Sequence, residues 1–376
     1  MPALSLLMSP IIRRLYLHVP FCARECPYCG FYKHTPGRLA STDFIDALLA
    51  ELSLRLETVQ MIPESIFMGG GTPSLLSRSH WLRLASGLAD RIDLAAVREW
   101  TLEANPRTFD VAKAEAFRAA GVNRVSLGVQ SWAPRTLATL GRDHTPDQAR
   151  EAWRMLRGAG FDNLSLDLMF SIPGETAEEW QQSLDETLAL APDHLSCYNL
   201  TYEEDTAFLT RHLAGELDVD PDRDADRYLE TLNRLETSGF IHYEVSNWAR
   251  PGKESRHNAA YWRGEDYLGI GPGAVSTING QRWKTLPDTA AYTRAALSGE
   301  DVRTEVENLT AEDLRLEALG TRLRTLEGAP ESLVNPSAAE EVTLLVAEGF
   351  LNRREGRLLL TRRGMPLVDS IVGRLV

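Results

Sequence analysis

The feature that most constrains the fold is an alternation of short apolar runs with amphipathic segments after residue 14. This alternation predicts strand–helix units whose parallel strands are joined by right-handed crossovers. We predict six such strands, an additional strand at Ile241–Val245, and a helix over residues 43–59. Six units form most of a barrel but fall short of the eight of a complete one. The six strands are Leu15–Phe21, Ser65–Met68, Trp100–Ala104, Arg124–Val129, Leu164–Phe170 and Leu195–Leu200.

The alternation fades after about residue 285, and the remaining sequence indicates a smaller α+β unit. A capped helix from Thr310, a hairpin that turns near Glu355–Gly356 and a last helix resemble a winged-helix-like tail. We therefore predict an α/β chain with a partial (β/α)6 TIM-like barrel over residues 1–285 and a C-terminal domain over residues 286–376. The charge run at residues 216–227 is predicted to be a solvated loop.

Acidic residues outnumber basic residues by 53 to 40, which gives a formal net charge of −13. This balance argues against binding of a nucleic-acid backbone as the main activity. No run approaches the ~20 apolar residues that span a bilayer. The N-terminus lacks the basic segment and the cleavage site of a secretory signal, and crowded cysteines in a long chain favour a reducing compartment. We predict a cytoplasmic protein.

Three of the four cysteines, Cys22, Cys26 and Cys29, lie close together and could hold a soft metal as thiolates. A zinc site would need a fourth ligand, for which His18 and His34 are candidates. A redox-active pair made by Cys26 and Cys29 would leave Cys22 unexplained. A [4Fe–4S] cluster normally takes four cysteinates, so three would leave one iron open to another ligand. The spacing of the cysteines alone does not decide between a zinc site, a redox-active pair and an iron–sulfur cluster.

The spacing CxxxCxxC, with Tyr28 before the last cysteine, resembles that of the radical S-adenosylmethionine superfamily. The resemblance implies a [4Fe–4S] cluster on Cys22, Cys26 and Cys29, whose open iron S-adenosylmethionine chelates. It also implies a partial (β/α)6 barrel. The motifs leave open whether electron transfer from the cluster cleaves the cofactor to a deoxyadenosyl radical here.

Polar and glycine-rich motifs at several strand ends add to this resemblance. The turn MGGGTPS lets the backbone approach a ligand closely, and barrel sites gather at the carboxyl ends of strands. Taken singly, each residue has a structural alternative as a helix cap, a surface ion pair or a strand aromatic. Asp167 is the hardest to dismiss, because a carboxylate inside an apolar strand is costly to bury without a partner. The implied S-adenosylmethionine contacts are Tyr16, Tyr28, Gly70, Gly71, Thr72, Glu103, Gln130, Arg142 and Asp167.

Nearly the whole chain resembles the coproporphyrinogen III oxidase-like group of this superfamily. The oxygen-independent oxidases of that group carry one more cysteine two positions on, where this chain has Phe31. The heme chaperones of the group carry CxxxCxxCxF and HNxxYW, and residues 257–262 read HNAAYW. The resemblance therefore implies delivery of heme to apo-hemoproteins, with oxidative decarboxylation of coproporphyrinogen III as the alternative that Phe31 disfavours.

The HNAAYW segment also has a physical interpretation as a heme contact. His257 can ligate heme iron, and Tyr261 and Trp262 offer flat apolar surface to the macrocycle. The alternative is that His257 and Asn258 fix a loop by hydrogen bonds while Trp262 packs in the core. We predict heme binding at His257 and a core position for Cys197. The sequence leaves a homodimer and a transient membrane association open.

Overall fold

The computed structural model describes residues 9–36 and 42–376. Its strands are β1 (Ile11–Val19), β2 (Gln60–Gly70), β3 (Glu99–Ala104), β4 (Arg124–Gln130), β5 (Leu164–Phe170), β6 (His194–Asn199), β7 (Ile241–Glu244), β8 (Asn247–Ala249), β9 (Leu268–Ile270), β10 (Val275–Ile278), β11 (Gln281–Thr285), β12 (Arg303–Asn308), β13 (Ala329–Pro330), β14 (Leu351–Arg354) and β15 (Arg357–Leu360). Its helices are α1 (Thr42–Arg55), α2 (Arg78–Ala89), α3 (Val111–Ala119), α4 (Pro134–Thr139), α5 (Pro146–Gly158), α6 (Ala177–Ala189), α7 (Ala207–Leu213), α8 (Pro221–Thr237), α9 (Arg256–Trp262), α10 (Thr289–Leu297), α11 (Ala311–Leu323), α12 (Ala339–Ala347) and α13 (Val368–Leu375).

The main sheet has nine strands in the order β7-β8-β6-β5-β4-β3-β2-β1-β9. Strands β1 to β6 are parallel neighbours in chain order, and helices connect them, which confirms the predicted α/β architecture. The short strand β9 adds in parallel beside β1. The additional strand predicted at Ile241–Val245 forms as β7, but it runs antiparallel to β8, which is itself antiparallel to β6.

Alternation along the strands separates a hydrophobic core from the inner face of the sheet. Leu15, Leu17 and Val19 of β1 are fully buried in the main hydrophobic cluster. Tyr16 and His18 lie between them, and side chains alternate in a strand, so these two project from the opposite face. The inner face of this sheet is therefore where polar groups meet.

The element boundaries differ from prediction where local chemistry ends an element. Strand β1 ends at Val19, two residues before the predicted end, and the next residue, Pro20, has no N–H to donate to a ladder. Helix α1 ends at Arg55 rather than at residue 59, since the chain turns there into β2. Capping boxes begin α5, α6 and α11 at Thr145, Thr176 and Thr310.

The prediction that residues 216–227 form a solvated loop is wrong for much of that segment. Helix α8 begins at Pro221, and the side chain of Asp220 accepts a hydrogen bond from the Arg223 N–H as its N-cap. Leu217, before the helix, is buried. The charges of this run therefore mark a helix start.

A second hydrophobic cluster, with members from Leu319 to Leu375, forms a small C-terminal domain around the antiparallel sheet β13-β15-β14. The predicted hairpin turn is present, with φ of 52° at Glu355 and 72° at Gly356. The sheet β10-β11-β12 precedes this domain, and Trp283 of β11 belongs to the main cluster. The boundary between residues 285 and 286 stays a prediction.

Both edges of the main sheet are covered by other segments of the chain. Beside β9, the Ser276 hydroxyl bonds both backbone groups of Gly269. Beside β7, Glu244 forms a bridge with Thr325, and the Val245 N–H donates to the Arg324 carbonyl at 3.0 Å. Within the described ranges, no helix is long and apolar enough to cross a membrane.

Candidate S-adenosylmethionine and cluster site

The three clustered cysteines lie on one loop that follows the carboxyl end of β1. The base of this loop is closed by two backbone hydrogen bonds, from the Cys22 N–H to the His34 carbonyl at 3.0 Å and from the His34 N–H to the Pro20 carbonyl at 2.9 Å. We call residues 21–34 the cysteine loop. Phe31, on this loop, has 69% of its surface exposed. The loop therefore presents its thiols and one large aromatic side chain from a fixed base.

The glycine turn, residues 69–72, is tied directly to the cysteine loop. The Gly71 N–H donates to the Val19 carbonyl at 2.8 Å, and the Thr72 N–H donates to the Phe21 carbonyl at 2.7 Å. A Cβ on Gly71 would lie 2.6 Å from the carbonyl carbon of Pro20. Only glycine allows the two backbones this approach. The Thr72 hydroxyl then lies 3.6 Å from the Cys22 sulfur.

Arg142 connects the ends of β3 and β4 to the cysteine loop. Its Nη2 donates to Asn105 Oδ1 at 2.5 Å and to the Gly128 carbonyl at 2.7 Å, and its Nη1 lies 3.7 Å from the Cys26 sulfur. Asn105 Nδ2 in turn donates to the Thr72 hydroxyl at 2.9 Å. Arg142 thus holds strand ends and loop together instead of making the surface ion pair that was its structural alternative.

Two further predicted cofactor contacts, Gln130 and Tyr28, lie at the end of β4 and on the cysteine loop. Gln130 ends β4 with a φ of 68°, a left-handed conformation that is strained for a non-glycine residue and is frequent at functional sites. Tyr28 packs against Phe208 with ring centroids 6.3 Å apart, and burial raises the pKa of its hydroxyl. That both residues contact the cofactor stays a prediction.

Two acidic side chains, Glu103 and Asp167, lie on the inner face of the sheet. Asp167 accepts hydrogen bonds from the hydroxyls of Ser126 and Ser165 at 2.9 and 3.1 Å. These hydrogen bonds offset the free-energy cost of burying a carboxylate in an apolar strand. Burial, followed by the negative charge of Asp167, raises the pKa of Glu103 to about 8 although the Gly70 N–H donates to it. Glu103 is therefore mostly protonated at neutral pH in the absence of a cationic ligand.

Tyr16 and His18 extend this inner face below the cysteine loop. The Tyr16 hydroxyl lies 3.1 Å from His18 Nδ1, and Nε2 of the same ring lies 2.8 Å from the Tyr32 carbonyl. Burial lowers the pKa of His18 to about 4, so that the ring is neutral. The His18 ring also lies against the backbone of Gly70, where a Cβ would approach it to 2.4 Å. The structure thus brings all nine predicted S-adenosylmethionine contacts to one end and the inner face of the sheet.

His18 and Asn105 are site residues whose place the sequence reasoning missed. The sequence suggests His18 only as a zinc ligand, yet both of its ring nitrogens are hydrogen-bonded. The other candidate, His34, is likewise engaged, with Nδ1 at 2.8 Å from the Thr35 carbonyl and Nε2 at 2.8 Å from the Thr289 hydroxyl. These contacts argue against the zinc alternative. For Asn105 the available signal was its position two residues after Glu103, at the same strand end.

The chemistry of the donor set fits an iron–sulfur cluster. Cys22 and Cys29 each lie near enough to Cys26 for their charges to interact, and the fourth cysteine, Cys197, is buried in β6 as predicted. Burial raises the pKa of Cys22 to about 11, so a nearby cation is needed to hold its thiolate at neutral pH. Among the described residues, no three His, Cys, Asp or Glu side chains converge as ligands of one metal ion. A zinc ion requires all of its ligands to converge on one point. A [4Fe–4S] cluster does not, because each cysteinate binds a different iron.

His257 lies away from the cysteine loop, beside the middle of β2 and the first residue of β3. Its Nδ1 is 3.0 Å from the Ser65 hydroxyl, and its backbone N–H donates to Glu99 Oε1 at 3.0 Å. Ser65 precedes Gly70 by five residues of β2, which corresponds to about 17 Å. Burial lowers the pKa of His257 to about 3. Tyr261, four residues further along the same helix, is 48% exposed, whereas His257 is buried.

Comparisons with known proteins bear on the whole chain. Residues 16–187 match the Radical SAM superfamily. The chain is 38% identical over 368 residues to the heme chaperone HemW of Mycobacterium tuberculosis, covering 96% of this chain and 94% of that protein. It is 34% identical over 374 residues to the HemW of Escherichia coli, covering 95% and 96% of the two chains. The structure of coproporphyrinogen III oxidase (HemN) from Escherichia coli, a radical SAM enzyme, aligns over 100% of this chain and 92% of that one with a TM-score of 0.80, at 22% identity.

Proposed function

Since the chain belongs to the HemW family of the radical SAM superfamily, we propose that it is a heme chaperone that binds heme and delivers it to apo-hemoproteins. The observation that carries this proposal is identity above 30% to HemW proteins over almost the whole chain. Phe31 and the HNAAYW segment support it, since both match the chaperone branch. The oxidase has a similar fold, but at this level of identity the likeness concerns the fold alone.

We further propose that Cys22, Cys26 and Cys29 hold a [4Fe–4S] cluster and that the nine predicted contact residues, from Tyr16 to Asp167, hold S-adenosylmethionine. A cluster held by these cysteines would be able to supply an electron to the sulfonium of the bound cofactor. The glycine turn offers backbone groups to the methionine end. Glu103 accepts hydrogen bonds from an amino group or from ribose hydroxyls. A cationic ligand favours the ionised form of Glu103, so binding at neutral pH releases its proton.

Heme is the cargo, and His257 is the proposed iron ligand. Its neutral ring suits metal ligation. The Ser65 hydroxyl fixes the ring through Nδ1, and Nε2 has no hydrogen-bond partner in the part of the chain that the structure describes. A partner on one ring nitrogen that orients the other is the usual support of a metal-binding histidine. We propose apo-hemoproteins as recipients in the cytoplasm; a homodimer and a transient membrane association stay predictions.

Hemin titration tests the assignment of His257. His257→Ala is expected to weaken hemin binding and to change the Soret spectrum, because an imidazole ligand is lost. His257→Gln retains a polar side chain beside Ser65 and separates loss of ligation from loss of packing. His80→Ala, on helix α2, is the matched control and should leave affinity and spectrum unchanged. An unaltered spectrum in folded His257 variants would contradict the assignment.

The oxidase alternative has its own experiment. The reconstituted protein is incubated anaerobically with coproporphyrinogen III, S-adenosylmethionine and a reductant, and the tetrapyrroles are analysed by chromatography. We expect no decarboxylated product, because the chain has Phe31 where the oxidases carry a further cysteine. Formation of protoporphyrinogen would show that the chain is more than a chaperone.

A further inference from the structure

A cavity of about 330 Å³ lies near the amino ends of β1 and β2, at the opposite end of these strands from the cysteine loop. It is bordered by the last residues before β3 and by the segment that leads into α9. No sequence motif pointed to this cavity. Its charged lining consists of Arg14, Arg98, Arg256, Arg263, Glu64 and Glu254.

The four arginines of this cavity fall into two classes. Arg14 is bound by Glu64 at 3.2 Å and by Glu265 at 2.8 Å, and Arg263 is bound by Glu265 at 2.8 Å. Arg98 and Arg256 are exposed, and in the described parts of the chain neither guanidinium group makes an ion pair or a hydrogen bond, although the charge of Arg98 acts on Glu64. The cavity thus has two guanidinium groups held by carboxylates in its wall and two at its surface that have no direct partner.

The two guanidinium groups without a direct partner indicate the chemistry of a ligand. A guanidinium fork binds a carboxylate through two parallel hydrogen bonds, and this geometry is stronger than a single contact. The lining has four guanidinium groups and two carboxylates, and Glu265, which binds two of these arginines, adds a third carboxylate. One positive charge is left in excess, on a chain whose formal net charge is −13. The cavity is therefore a local positive site that suits a ligand with two acidic groups.

The position of the cavity connects it to the proposed heme ligand. Arg256, Ala259 and Arg263 line it from α9, the helix that carries His257. Arg14 lines the cavity, and its charge also acts on the His257 ring. We propose that this cavity binds the two propionate carboxylates of heme, with Arg98 and Arg256 as the contacting groups. The assignment rests on the proposed heme binding and adds a second site of contact.

The experiment compares two iron porphyrins in the full-length protein. Hemin has two free propionates, whereas in hemin dimethyl ester both are esterified and uncharged. The variant is the double substitution Arg98→Gln and Arg256→Gln. The matched control is Arg78→Gln and Arg294→Gln, which removes two exposed arginines from distant helices and leaves the same net charge. Neither side chain has a partner in the described structure. Circular dichroism verifies the fold of both.

The double variant is expected to bind hemin about tenfold or more weakly than the wild type and the control, because two charge-assisted contacts are lost. Its affinity for the dimethyl ester should equal that of the wild type. Raising the salt concentration should narrow the hemin difference, since exposed charges are screened. Equal hemin affinity in all three proteins, or an equal loss for hemin and ester, would overturn the assignment. If the wild type bound neither porphyrin, the proposed function would fall together with it.

Discussion

Replacing Gly71 by alanine tests whether the cysteine loop and the glycine turn form one unit. The new Cβ would lie 2.6 Å from the Pro20 carbonyl carbon and 2.8 Å from the Phe21 carbonyl oxygen. Both are backbone atoms, so no side-chain rotation relieves the contact. The two segments must separate, which breaks the hydrogen bonds that Gly71 and Thr72 donate to the carbonyls of Val19 and Phe21.

The expected cost of Gly71→Ala follows from these contacts. Overpacking costs about 1–3 kcal/mol, and each lost hydrogen bond costs about 0.5–1.5 kcal/mol. Together they predict a loss of about 2–6 kcal/mol in the free energy of unfolding, a large fraction of the usual 5–15 kcal/mol. Urea denaturation measures this loss, and iron and sulfide content after anaerobic reconstitution measures the effect on the cluster.

The matched control for Gly71→Ala is Gly158→Ala in helix α5. A Cβ on Gly158 would meet no atom within 4 Å, and alanine favours a helix by up to about 1 kcal/mol over glycine. The control should therefore unfold at an equal or higher urea concentration and load the cluster normally. If Gly71→Ala were as stable as the wild type and took up a full complement of iron, the reasoning about the backbone approach would be refuted.

Two further predictions concern buried acidic groups. Glu103 has a folded pKa of about 8, above its unfolded value of about 4.3, so stability falls as pH rises through this window. Without cofactor, Glu103→Gln should lose less stability between pH 5 and pH 8.5 than the wild type and be the more stable protein at pH 8.5. Urea denaturation at both pH values measures the free energy of unfolding. An equal loss of this free energy in the two proteins would contradict the prediction. The Tyr292 hydroxyl donates to Glu51 Oε2 at 2.6 Å, and burial raises the pKa of Glu51 to about 6. Tyr292→Phe should cost about 1–3 kcal/mol above pH 7 and less at pH 5, where Glu51 is protonated; an equal loss at both pH values, against Tyr261→Phe as control, would argue against this pairing.

Much of the barrel was predictable because its signals are local. Apolar runs predicted β3 to β6 to within one residue at each end, whereas β2 begins five residues before its predicted start. Thr310 predicted the start of α11. The failure at residues 216–227 was also local. The prediction followed the charge density of this segment. It overlooked Asp220 and Pro221, an N-cap followed by proline at the first helical position. It also overlooked Tyr228 and Leu232, which form part of the buried face of α8.

Other features depend on pairings between distant parts of the chain. Strand β9 has three residues and no periodic pattern, and only its place beside β1 makes it part of the sheet. In the same way, the cysteine cluster and Arg142 were predicted separately, but the network through Asn105 and Thr72 exists only once β2, β3 and β4 are neighbours. The pKa of Glu103 likewise reflects enclosure by the folded sheet, which residue type does not show.

The covered edge at β7 has a consequence for how the chain can be shortened. An unpaired strand edge offers free N–H and C=O groups on which another chain can add, leading to aggregation. Here the residues just after α11, at the start of the C-terminal domain, bond the backbone of Tyr243 and Val245. A truncation at residue 309 would therefore do more than remove a domain. It would expose a strand edge, and such a fragment should aggregate at concentrations where the full chain stays dispersed.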